Sequence, residues 1–195
     1  MLKLANQVIV PDRLNINGHL HHLSRELQIT VGHDDDRLTL SNDESGHLVL
    51  STTLEEGIAG ISDELSMLWD VYVTNNPANL TRGALQLRSN LKSLVAAGAG
   101  SLRSCEDTRY CGCSSQKGFE ERSSHHKIFY LCIDGKISGV HTFLSHGMKE
   151  CNADLLAKMR TPLHLSGKEL DDLIRCPLSG EDYAKLLIER GVFKK

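Results

Sequence analysis

The stretch Ser123–Gly147, S-S-H-H-K-I-F-Y-L-C-I-D-G-K-I-S-G-V-H-T-F-L-S-H-G, constrains this chain more than any other. Two runs rich in β-branched and aromatic residues flank Asp134–Gly135, a dipeptide suited to a tight hairpin turn. Ile128–Ile133 and Val140–Leu144 are therefore expected as strands of a hairpin or short meander. Side chains alternate along a strand, so Phe129, Leu131 and Ile133 share one face and Ile128, Tyr130 and Cys132 the other. His125 and His126 stand where the first of these strands begins, on an edge expected to face solvent, and His141 and His146 close the stretch. Imidazole is the side chain best suited to moving protons near neutral pH. No strongly spaced metal motif accompanies the pair, so the expectation is metal-independent acid–base chemistry.

The remainder of the chain reads as an α+β protein. Val8–Val10, Leu27–Val31, Arg37–Leu40 and His47–Leu50 are short strand-like runs, with turns at Asp34–Asp36 and Asn42–Gly46. Thr53 and Glu56 form a capping box, and Ile58, Ile61, Leu65, Leu68, Trp69 and Tyr72 follow at helical spacing. Asn75, Asn76 and Pro77 end that helix. A second helix opens near Thr81 and carries Ala84, Leu87, Leu91, Leu94 and Val95 before the small-residue run A-A-G-A-G-S. Three helices close the chain: one after Asn152, one opening with the box Ser166–Glu169, and one from Ser179 that stops at Gly191. Histidines 19, 21 and 22 are expected in a solvated loop or helix start.

At 195 residues the chain can form one large domain or two small ones. A division near 98–105 gives residues 1–100 as an α+β domain and residues 105–195 as a second domain. Charge differs between the halves: residues 1–104 hold 8 Lys/Arg against 12 Asp/Glu, and residues 105–195 hold 14 against 13. An acidic front half could mask a more basic back half. No apolar run is long enough to span a bilayer, and the N-terminus lacks the apolar core of a signal peptide. A cytoplasmic protein without membrane association is expected, with its six cysteines reduced.

Residues Gly118 to Val192 resemble the HicA family of toxin–antitoxin ribonucleases. The likeness rests on G-F-E-E-R-S-S-H-H-K-I-F-Y, then V-H-T-F-L-S-H-G, then L-H-L-S-G-K-E-L-D-D-L-I-R-C-P-L-S-G-E-D-Y. It implies a fold like a double-stranded RNA-binding domain, with helices against one face of a sheet. It also implies histidine-dependent cleavage of mRNA. By position the catalytic role falls on His125, with His126 as the second candidate. The chain departs from the family pattern in having Ser123 where a glycine is usual before the Ser-His step, and no evident helix between 105 and 117. The run L-T-L-S-N-D-E-S-G-H-L-V-L-S-T-T-L-E-E-G-I-A-G-I more weakly resembles HicB antitoxins. The resemblances together imply toxin-like and antitoxin-like modules in one polypeptide.

RNA carries its own nucleophile, the 2′-OH beside the scissile phosphodiester. His125 would act as base or acid, Lys127 and Ser124 would hold or orient the phosphate, and Arg122 and Lys117 would contribute positive charge. The scheme needs no cofactor. Cys111 and Cys113 with His125, His126 or Cys151 could instead hold zinc, but C-x-C suits one tetrahedral ion less well than C-x-x-C. His141 and His146, five residues apart, face opposite sides of a continuous strand, and His146 before Gly147 is expected to lock a turn. The partners expected are RNA, an antitoxin-like partner within the chain or in trans, and a second copy of the chain. The alternative is a non-catalytic RNA-binding or partner-binding regulatory protein.

Overall fold

In a computed structural model, the description covers residues 7–34, 36–42, 45–95, 118–123, 126–145, 153–175 and 177–193. The fold is α+β. Strands β1 (Gln7–Ile9), β4 (Ile29–Asp34), β5 (Arg37–Asn42) and β6 (His47–Ser51) form an antiparallel sheet in the order β1-β4-β5-β6, and β2 (Arg13–Ile16) and β3 (His19–His22) form a hairpin. Helix α1 (Leu54–Leu68), a π-helical turn (Trp69–Val73), and α2 (Arg82–Leu94) follow. The second half has an antiparallel meander of β7 (Phe119–Ser123), β8 (His126–Ile133) and β9 (Lys136–Ser145), then α3 (Ala153–Leu163), α4 (Gly167–Arg175) and α5 (Gly180–Glu189).

The β2–β3 hairpin corrects the expected loop or helix start at histidines 19, 21 and 22. Its turn is Asn17–Gly18, both with positive φ (51° and 79°), the geometry of the two-residue turns that match strand twist. Leu14 and Ile16 alternate inward and are 1% exposed, held against α1. Asn17 ties the turn to that helix, its N–H donating to Ser66 Oγ (2.9 Å) and its amide to Asp70 Oδ1 (3.1 Å).

Helix α1 begins as its sequence requires. Thr53 Oγ1 accepts from Glu56 N–H, and Glu56 reaches back to accept from the N–H and hydroxyl of Thr52. Gly57 lies so close to β5 that a Cβ there would sit 2.4 Å from Leu40 Cδ1, so the helix rests almost on the strand. The helix widens into the π turn before Asn75, and Arg88 of α2 binds the carbonyls of Tyr72 (2.9 Å) and Asn75 (2.7 Å). This supplies donors to carbonyls that the helix end leaves unpaired.

The β8–β9 turn is Asp134–Gly135, as expected, again with positive φ at both residues. Strand β9 starts at Lys136, earlier than the Val140 expected, and its pairing with β8 shifts between Tyr130 and Cys132. Apolar residues cover both faces of this sheet. Leu131 and Val140 pack with Met159, Leu163, Leu170, Tyr183 and Leu187 of α3–α5. Ile128, Tyr130, Ile137 and Phe143 join Ile61, Leu65, Leu68, Tyr72, Leu91 and Leu94 of the N-terminal half. Helices therefore lie on both faces of the meander, α3–α5 on one and α1 and α2 on the other, in place of the single helical face that the resemblance implies. The segment expected to divide the halves, 98–105, falls outside the described residues.

Helix α2 makes the tightest joint between the halves. Thr81 N–H donates to Ile137 O (2.9 Å), and a Cβ on Gly139 would lie 3.0 Å from Gly83 C and 3.1 Å from Gly83 O. Backbone cannot yield there as a side-chain tip can. Gly139→Ala is expected to destabilise the protein by about 1–3 kcal/mol, the usual cost of overpacking, read as a lower urea midpoint with unchanged slope. An unchanged midpoint would show that the joint is looser than described.

Candidate functional site

The expected site lies at the end of the meander where β7 turns into β8. Ser123 pairs with Lys127, and two residues, 124 and 125, join the strands. Ser124, His125 and Lys117 lie outside the described residues. His126 opens β8 opposite Ser145, the last residue of β9. The pairing therefore brings the chain positions leading into the His-His step and into the S-H-G step to the same end of the sheet. His146 itself lies outside the described residues.

Lys127 and Arg122 do not converge. Residues directly opposite in an antiparallel pair share a face. Lys127 pairs with Ser123, and Arg122 with Ile128, so the two cations lie on opposite faces. Lys127 Nζ also lies 2.8 Å from Glu121 Oε1, with both side chains partly exposed. Such an exposed pair contributes about 0–1 kcal/mol to stability. Its larger effect is local: the lysine expected to hold a phosphate already faces a carboxylate.

His141 is not at a solvent-facing edge. It is 5% exposed in the middle of β9, against Tyr72 and Phe143, with ring nitrogens 3.2 Å from Gly139 O and 3.1 Å from Ser45 O. Burial pushes its pKa down to about 4, against the two carbonyls that favour a charged ring. A neutral ring has one N–H and donates to only one of them. The Ser45 contact joins the β5–β6 connection of the first half to the sheet of the second.

Beside it is a second buried imidazole. His47 Nδ1 lies 3.0 Å from Glu64 Oε2, with both side chains 0% exposed. The same oxygen accepts from Leu48 N–H (3.2 Å), fixing α1 to β6. Burial holds His47 down at about 3, so the ring is neutral and donates from Nδ1 to the carboxyl group. Its Nε2, and the Tyr72 hydroxyl, are buried without a hydrogen-bond partner among the described residues. Phe143 stacks on the ring at 5.6 Å. An imidazole on a carboxyl group has the parts of an acid–base pair, but it is closed to solvent and serves to join elements. Sequence spacing alone does not name Glu64 and Tyr72 as neighbours of these histidines. The available signal was a carboxylate at the α1 position between Ile61 and Leu65, on the stripe that faces the core.

In the β2–β3 hairpin His21 is 5% exposed and its ring lies 6.3 Å from that of His19. Burial and the neighbouring imidazole lower its pKa. Among the described residues no group of three His, Cys, Asp or Glu could hold a metal ion, and Cys111, Cys113 and Cys151 fall outside them. Cys132 packs, partly buried, against the first-half core.

The two buried histidines give a pH dependence. Unfolded, each binds a proton near pH 6.5, while folded His47 and His141 bind one only near 3 and 4. The unfolded chain holds more protons between these values, so stability is full above about pH 6.5 and falls as pH drops toward 4. His21 and His164, also lowered by burial, act in the same direction. The lowered carboxylates Glu56, Glu169 and Asp182 add their loss only near and below their ordinary range. Urea unfolding between pH 7 and 5 should lose up to about 1.4 kcal/mol per pH unit per buried histidine, and His47→Leu should flatten the slope. A pH-independent midpoint over that range would contradict neutral, buried rings.

Comparison of the chain with known protein families, with curated proteins and with solved structures found no match.

Proposed function

We propose that the chain is a HicA-like toxin–antitoxin protein of the cytoplasm, in which a metal-independent ribonuclease module and a HicB-like partner module form one polypeptide. The observation that carries the reading is the coverage of the meander. One face packs on α3–α5, and the other packs on the half that resembles an antitoxin. The sequence resemblance from Gly118 to Val192 and the His-His step that leads into β8 supply the chemistry.

In the proposed reaction His125 takes the proton of the ribose 2′-OH, or delivers one to the leaving 5′-oxygen, and His126 is the second candidate for either task. Lys127 and Ser124 hold the phosphate as charge develops on it, and Arg122 and Lys117 add to the field that attracts RNA. The Glu121–Lys127 ion pair holds this activity back until RNA phosphate competes for the lysine.

That same ion pair favours a second reading, an RNA- or partner-binding regulator without catalysis. Cleavage of a labelled mRNA fragment separates the two. His125→Ala is expected to lower the rate by about 10²- to 10⁴-fold while RNA binding is kept, and EDTA is expected to leave the parent rate unchanged. Glu121→Gln, which frees Lys127, is expected to raise the rate severalfold. A parent protein that binds RNA but never cuts it would leave the binder as the surviving reading.

A further inference from the structure

A cleft of about 530 Å³ lies at the other end of β8 from His126, where the first turn of α2, the β8–β9 turn and the end of α5 meet. Its size falls within the roughly 300–1,000 Å³ of small-molecule sites. Arg82 and Lys136 line it, both exposed, and neither forms an ion pair with a described residue. The lining also contains the carboxylate of Asp134, and Phe193 with Val192 forms a partly buried apolar wall. Both halves of the chain build the cleft, and the α2–β9 joint at Gly83 and Gly139 fixes their spacing.

We propose that this cleft binds a phosphorylated nucleotide. Three separate chemistries meet there. Two cations that form no ion pair with a described residue can make charge-assisted bonds to a phosphate. A carboxylate accepts from ribose hydroxyls and disfavours a bare anion. An aromatic ring beside aliphatic side chains takes the flat face of a base. A peptide acid would use the cations but leave the aromatic wall without a planar partner. The proposal rests on the cleft and does not require the ribonuclease reading.

The test is calorimetric titration of the full chain with adenosine 5′-monophosphate, adenosine, inorganic phosphate and a 2′-O-methyl RNA hexamer. The hexamer cannot be cut, so its binding is read independently of cleavage. Adenosine 5′-monophosphate is expected to bind at least tenfold more tightly than adenosine or phosphate alone. Arg82→Gln with Lys136→Gln is expected to weaken it at least tenfold, Phe193→Ala roughly tenfold, and His125→Ala not at all. A hexamer that binds more tightly than the mononucleotide and loses that advantage in the Arg82→Gln, Lys136→Gln double variant identifies an RNA strand as the source, and a hexamer whose affinity the double variant leaves unchanged, or that binds no more tightly, identifies the free nucleotide. The proposal is overturned if neither nucleotide probe binds. It is also overturned if affinity is unchanged in the double variant, or in Phe193→Ala where the double variant fails to fold, as checked by thermal melting.

Discussion

Strands β8 and β9 carry buried apolar side chains on both faces of the meander, while Glu120, Glu121 and Arg122 of β7 stay partly exposed, and the double apolar covering of β8 and β9 governs the rest of the structure. Alternation places Ile128 and Tyr130 on one side of β8 and Leu131 on the other, and all are buried. A sheet apolar on both faces must be covered twice. The C-terminal helices cover one face, and the chain uses its own first half for the other. Each fully buried Leu or Ile contributes about 1.5–3 kcal/mol relative to exposure, so residues on both sides of the sheet matter to stability.

Polar groups within this joint set its geometry. Within the first half Glu64 Oε2 accepts from Leu48 N–H of β6 and from His47, which fixes α1 to β6, and across the joint His141 contacts Ser45 and Thr81 N–H donates to Ile137 O. Apolar contact alone permits sliding, whereas hydrogen bonds of fixed direction do not. The imidazoles can serve this way because they are neutral when buried, which places their proton-binding ranges far below that of an exposed histidine.

The local signals in the sequence account for much of the fold. Thr53, Ser166 and Ser179 cap their helices, and Asp134–Gly135 makes its turn, because these depend on residues within four positions of one another. The β2–β3 hairpin has its own local signal in Asn17–Gly18, but the polar run His19–His22 after it lacks the apolar alternation of a strand. What local pattern cannot give is the partner across the fold. Nothing near His141 in the chain announces Tyr72 or Ser45, and nothing near Lys127 selects Glu121 over solvent. The candidate site was legible as a set of residue types at one strand end. The separation of Arg122 from Lys127 by sheet face appeared only with the strand register.

The tight approach of Gly83 to Gly139 also bears on how the protein comes into being. Chains emerge from the ribosome N-terminus first and fold as they emerge. Helix α2 is complete some forty residues before β9 is made, so the meander meets a docking surface already formed. A sheet that would be adhesive on its own is born beside its cover, in fixed one-to-one proportion.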